Sequence, residues 1–280
     1  SSMTSTDRSE SLPLSDGRQA CWCEYGARDG HPLVYCHALP GSRLEPALLD
    51  SAARERDLRV ICLDRPGYGG TSPLPGRQMG DEVSDLRSVV DHLEVQRFDL
   101  IGFSAGGGHA LASAIHMAER VQRLSLVSSC APFTAVSWDG MAQHFRELWE
   151  LAGHDSAAFR ETVEQSIAAA GGAYELLRDG APEVDRAILV QPEIAETFKR
   201  NAVLALSRGV DGMCEDAQAL VSAWPFRPEA VDCPARVWHG ERDCNVPIGM
   251  GRWLADRLPQ AEMTAWPEAG HFAALEEWPR

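Results

Sequence analysis

"GFSAGGGHA", residues Gly102 to Ala110, sets one serine among four glycines and two alanines. Apart from Phe103 and His109, no neighbouring side chain is large enough to cover the Ser104 hydroxyl. The preceding "FDLIGF" is an apolar run of strand length, and the following "AGGGHALASAIHMAER" has a helical pattern. A sharp strand-to-helix turn forces its central residue into a strained backbone conformation and needs small flanking residues, here Gly102 and Gly106. A bare G-x-S-x-G match reads equally well as a tight turn with an incidental serine. With a strand before it and a helix after it, the match reads as a nucleophile elbow.

The same alternation extends in both directions. "LPLSDGRQACWCEYG" reads as a hairpin turning at Asp16-Gly17, preceded by a dozen polar and loose residues. Then come a strand "PLVYCHAL", a helix "RLEPALLDSAARERD", a strand "LRVICLD", a helix "GDEVSDLRSVVDHLEV", the elbow, and a strand "VQRLSLVSS". Strands alternating with helices predict an α/β fold with a mostly parallel, doubly wound sheet. From Pro132 to Pro228 the chain offers helical patterns and no convincing strand, before "ARVWHG", "PIGMGRWLADRL" and "AEMTAWPE" resume the alternation. The expected organisation is a core of residues 1–131 and 229–280 interrupted by a helical insertion, 132–228.

Composition narrows the function classes. With 26 basic and 41 acidic residues the formal charge is −15, a field that repels phosphate backbones and anionic lipid. We therefore expect no nucleic-acid and no membrane partner. The eight cysteines form no C-x-x-C pair, and Cys36 and Cys62 sit in apolar strand runs, so they read as reduced thiols of a cytoplasmic protein. Ser1-Ser2 before Met3 looks like a cloning remnant, with no secretory signal and no membrane-length apolar run.

A serine hydroxyl is a weak nucleophile until a base takes its proton. His271, in "PEAGHFAAL" after the last predicted strand, is the leading base. His31, His92, His116, His144 and His154 fall in loops or on helices, where a lone histidine is usually solvated or packed, and His109 lies one helical turn beyond the elbow. The base needs a carboxylate to fix its tautomer and stabilise the imidazolium. Asp243, in "HGERDCNVP", follows a strand at the same sheet edge, with Glu241 and Asp232 as rivals. The chemistry requires no metal and no organic cofactor.

Taken together these motifs resemble the α/β-hydrolase superfamily over nearly the whole chain. "YCHALPGSR" is similar to its oxyanion loop, "LDRPGYGGTS" to its D-x-P-G-x-G loop, "GFSAG" to its elbow, "HGERDCNVP" to its acid segment and "AGH" to its base segment. The resemblance implies Ser104, Asp243 and His271 as a catalytic triad and the Leu39 and Ala105 backbone N–H groups as oxyanion donors. Ala38 stands where the family usually has glycine. His37, Asp64, Arg65 and Gly67 read as scaffold of these loops. The chain offers only "HFAALEEWPR" where family members carry a full helix after the histidine, which is expected to loosen the packing of His271.

A serine at the elbow suits acyl transfer, whereas dehalogenases and epoxide hydrolases of the superfamily use aspartate there. The insertion falls where the family places its cap. Its aromatic and methionine residues Phe133, Trp138, Met141, Phe145, Trp149, Phe159, Phe198, Met213 and Trp224 are more than a plain connection requires. Of these, Phe133, Trp138, Met141 and Trp224, with Phe103 of the elbow, are the expected substrate contacts. The leading expectation is a serine hydrolase of small-to-medium apolar carboxylic esters, its partner a small ester-like molecule. The alternatives are carbon–carbon bond or thioester hydrolysis with the same triad, and a receptor-like binding protein with little turnover.

Overall fold

The computed structural model describes residues 8–277; the Ser1-Ser2-Met3 segment lies outside them. Strands β1 (Ser9–Pro13), β2 (Gln19–Gly26), β3 (His31–Cys36), β4 (Leu58–Leu63), β5 (Phe98–Phe103), β6 (Val121–Val127), β7 (Ala235–Gly240) and β8 (Ala261–Trp266) join in one sheet. Its order is β1-β2-β4-β3-β5-β6-β7-β8. The first two pairs, β1-β2 and β2-β4, are antiparallel and the remaining five are parallel. Helices α1 (Asp50–Glu55), α2 (Val83–His92), α3 (Gly106–His116), α10 (Ile248–Arg257) and α11 (Ala274–Glu277) complete the core. No helix among the described residues is long and apolar enough to cross a membrane.

Alternation along the strands explains why both faces are covered. Val34, Ile61, Leu100 and Leu126 belong to one apolar cluster, and their chain neighbours Tyr35, Cys62, Ile101 and Val127 to another on the opposite face. None of the eight cysteines forms a disulfide.

Between β6 and β7 the described chain runs through six helices: α4 (Gln143–His154), α5 (Ser156–Ala170), α6 (Ala173–Gly180), α7 (Glu183–Leu189), α8 (Pro192–Ala205) and α9 (Asp211–Val221). The boundaries of α5 show the local rules at work. Asp155 Oδ1 accepts the Ala158 N–H at 3.0 Å at its start, and Gly171, at φ +89°, ends it in the left-handed conformation.

Three local expectations need correction. The residues before the hairpin are not all loose, because Ser9–Pro13 pairs with β2; a polar edge strand shows no apolar alternation to read. The helix expected over "RLEPALLDSAARERD" begins as a 3-10 turn, Glu45–Leu49, in which Glu45 is buried, and only then becomes α1. Helix α7 escaped notice because it has seven residues between Pro182 and Pro192, too few for a helical period to register.

Candidate active site

Strand β5 ends at Phe103 and α3 begins at Gly106, so Ser104 and Ala105 make the whole turn. Ser104 sits at φ +57°, in the left-handed region that non-glycine residues rarely occupy. The small flanks are obligatory: a Cβ at Gly102 would come within 2.5 Å of the Gly106 carbonyl oxygen, and one at Gly106 within 2.0 Å of the Cys36 carbonyl oxygen. Hydrogen bonds hold the strained residue from the neighbouring strand, Ser104 N–H to Val127 at 3.0 Å and Cys130 N–H to Ser104 at 3.1 Å.

His271 follows β8 and Asp243 follows β7, which brings both to the carboxyl edge of the sheet beside Ser104. His271 Nε2 lies 3.1 Å from Ser104 Oγ, and His271 Nδ1 lies 2.7 Å from Asp243 Oδ2. The other Asp243 oxygen accepts the Asn245 and Val246 N–H groups at 2.9 Å each. Burial alone would raise the Asp243 carboxyl, but the adjoining His271, with His239 3.4 Å away, outweighs it and holds the group at about 2. For His271 burial works downward, and the Asp243 charge more than offsets it, so the imidazole titrates above its ordinary 6.5. Asp232 and Glu241, the rival acids, are exposed.

The candidate oxyanion donors follow from which N–H groups are already engaged. Ala38 N–H donates to both Glu45 oxygens, at 3.0 and 3.2 Å, and Ser104 N–H to Val127. Among the described residues neither Leu39 nor Ala105 N–H donates to a protein acceptor, and both residues line the cavity that holds Ser104. Ala38 stands in this loop where the family usually has glycine. His37, buried and neutral, supports it: burial and the Arg65 charge push its imidazole well below 6.5, its Nε2 accepts the Arg65 N–H at 3.0 Å, and its Nδ1 faces the Ala38 carbonyl at 2.8 Å.

That cavity measures about 110 Å³. Of the five expected contacts Phe103 lines it, its ring 5.2 Å from that of His271. Phe133, Trp138, Met141 and Trp224 do not, a correction with a packing cause. Trp138 donates to the Phe133 carbonyl at 3.0 Å and the Phe133 ring stands edge-on to both Trp138 and Trp149, so the entry segment plugs the base of α4. Trp224 seats the end of the insertion on α3, its ring 3.0 Å from where a Cβ at Gly108 would stand. The apolar walls come instead from Phe145 and Trp149, four residues apart on one face of α4, and from Tyr174, Leu177, Phe198 and Phe272. Every lining residue is uncharged except Glu45 and the titratable His271.

Two carboxylates of the insertion, Asp185 and Asp216, were not foreseen. Asp216 of α9 lies 2.8 Å from Arg65, 2.6 Å from Arg77 and 3.5 Å from His109 Nε2, and accepts the Tyr68 hydroxyl at 2.8 Å. Burial opposes its charge, yet Arg65 and Arg77 hold it well below the carboxylate range. Because Arg65 also donates to the Ala38 carbonyl at 3.1 Å, this network ties α9 to the oxyanion loop. His109 Nδ1 meets Glu82 and takes no part at Ser104. The expected looseness of His271 is absent: it is 3% exposed, its neighbour Phe272 packs against Phe103 and Phe198, and Asp185 of α7 accepts its backbone N–H.

A strained serine turn, a hydrogen-bonded histidine and acid, and two unengaged N–H groups converge on one cavity above the sheet edge. A family model described as the alpha/beta hydrolase fold matches residues 31–277. The chain belongs to that family. It is 30% identical over 217 residues to a pimeloyl-[acyl-carrier protein] methyl ester esterase of Chromobacterium violaceum, covering 77% of this chain and 78% of that one. It is 27% identical to a 2-hydroxymuconate semialdehyde hydrolase of Pseudomonas putida over 89% of this chain and 83% of its relative. Among solved structures, an esterase from Exiguobacterium antarcticum superposes with a TM-score of 0.69 at 22% identity, covering 96% of this chain and 94% of that one, a likeness of fold. The relatives support hydrolase activity for this alpha/beta hydrolase.

Proposed function

We propose that this chain is a serine hydrolase that cleaves small, uncharged, largely apolar carboxylic esters through an acyl-enzyme. Ser104 attacks the ester carbonyl while His271 takes its proton and returns it to the leaving alcohol. Asp243 holds His271 in the tautomer with Nδ1–H and stabilises the imidazolium. The Leu39 and Ala105 N–H groups receive the charge that develops on the carbonyl oxygen, where one such donor is typically worth roughly 2.7–4 kcal/mol. Water, activated by the same histidine, then releases the acid. The residues supply every proton transfer, so the mechanism calls for no cofactor.

The observation that carries this reading is the Ser104–His271–Asp243 chain, at 3.1 and 2.7 Å, opening into an apolar cavity of about 110 Å³. That volume favours short acyl groups. The esterase relative from C. violaceum supports ester cleavage. The relative from P. putida supports carbon–carbon hydrolysis as a second reading, but a muconate semialdehyde carries a carboxylate, and among the described residues no Lys or Arg lines this cavity to receive it. The test is turnover of a chromogenic ester series from acetate to decanoate, beside a thioester and a vinylogous diketone, by wild type and Ser104→Ala. Ester turnover that peaks at short chains and disappears in the variant is the expected result. Turnover of the diketone alone would replace this reading with the second one.

A further inference from the structure

Helix α7 brings Asp185, a fully buried carboxylate, against the backbone of the segment that carries His271. Its Oδ2 accepts the His271 N–H at 3.1 Å and its Oδ1 the Phe272 N–H at 3.0 Å, so both oxygens are spent on two successive backbone donors. The approach requires the glycine before the histidine: a Cβ at Gly270 would stand 2.5–2.7 Å from the Asp185 carboxylate atoms. Gly270 therefore makes room for a side chain of the inserted helices, and the two positions, 85 residues apart, form one unit. From the other side, Ser128 Oγ donates to the His271 carbonyl at 2.9 Å. The backbone of His271 is thus gripped by the insertion at its N–H and by the core at its C=O.

We propose that Asp185 is a positioning residue through which the inserted helices hold the His271 imidazole at Ser104, making the cap a working part of the base rather than only a roof. The proposal rests on the serine-hydrolase reading of the site. Asp185 touches no reacting atom. It acts through the backbone, where two N–H···O bonds fix the position and direction of the imidazole, and it adds a second negative charge near His271 beside that of Asp243. The ionisable groups facing His271 are Asp243, Asp185 and Glu45, and all three favour its protonated form. The ionisable groups facing Asp185 are His271, Asp243 and Cys244. Burial pushes the Asp185 carboxyl up and the two N–H donors and His271 draw it back.

The test compares wild type with Asp185→Asn, Asp185→Ala, Gly270→Ala and the double variant Asp185→Ala/Gly270→Ala. It reads kcat and KM on a short-chain ester, and the His271 titration by NMR assigned against His271→Gln. Misplacement of a base by about 1 Å costs on the order of a hundredfold, so Asp185→Ala should lower kcat about 10- to 100-fold with little change in KM. Asp185→Asn, which keeps one acceptor, should fall between. Removing the charge should move the His271 titration to lower pH. Gly270→Ala should reproduce the loss by displacing the carboxylate, and the double variant should be no worse than Asp185→Ala alone, because the collision partner is gone. An unchanged kcat and His271 titration in Asp185→Ala, or losses that simply multiply in the double variant, would overturn the proposal. If wild type turns over no ester, the serine-ester reading fails by itself and the NMR titration still decides this one: a downward shift in Asp185→Asn supports the link, and an unmoved titration overturns it.

Discussion

The elbow and the inserted helices both act on His271, and they do so by opposite strategies. At the elbow a few adjacent residues meet backbone limits that admit almost nothing else: Ser104 at φ +57°, with Gly102 and Gly106 pressed against carbonyl oxygens 2.0–2.5 Å from any added Cβ. In the insertion, side chains far apart in the chain do the work. Asp185 reaches the His271 backbone across 86 residues, and Asp216 reaches Arg65 across 151. Local strain makes a site that can be read in a short string. Long-range polar contacts make one that has to be seen folded.

The widest separation between the two regions should be catalytic. Asp243→Asn keeps the shape of the acid but reverses the tautomer it selects, and comparable changes lower kcat by roughly 10⁴-fold. It should also lower the unfolding midpoint in urea, because the folded protein holds the Asp243 carboxyl at about 2 and that stabilisation is lost, but by less than Asp216→Ala; an activity loss under tenfold would show that Asp243 does not orient the base. Asp216→Ala should show the converse. It leaves Arg65 and Arg77 buried without their partner, which costs about 3–5 kcal/mol, read as a lower urea midpoint. A variant as stable as wild type would mean that the insertion is not clamped through this network.

The smallest expected effects distinguish aromatic residues of the insertion from one another. Phe198 lines the cavity and Trp224 packs on α3. Phe198→Ala should change KM about tenfold and move the best acyl chain to a longer one, since a methylene in a pocket is worth roughly 1–3 kcal/mol. Trp224→Ala should lower stability by about 3 kcal/mol and leave the chain-length profile where it was. The reverse pattern would put the substrate against Trp224.

Much of the fold was legible because strands buried on both faces read as short apolar runs between helices of clear period. Ser104, Asp243 and His271 could be named as candidates because each lies in a loop after a strand, where an α/β sheet collects its chemistry. The apolar walls were not legible. Phe145 and Trp149 carry the same helical spacing whether they face a cavity or a core, so sequence could list them with Phe133 and Trp138 but not separate them. Asp185 left only an indirect trace, the glycine before His271, whose cause is a side chain from a helix too short to detect. His239, inside β7 and 3.4 Å from Asp243, likewise looks like any strand residue until the loop folds over it.

The most direct test of the central claim is the site and pH dependence of labelling by a serine-directed phosphonate, followed by intact mass and peptide mapping. One adduct is expected, on the peptide carrying Ser104, absent in Ser104→Ala. Neutral His271 must act as the base and its titration lies above 6.5, so the labelling rate should rise with pH through a midpoint above that value. Asp243, held at about 2, stays ionised throughout. Labelling that persists in Ser104→Ala, or that falls on another residue, would show that Ser104 is not the nucleophile.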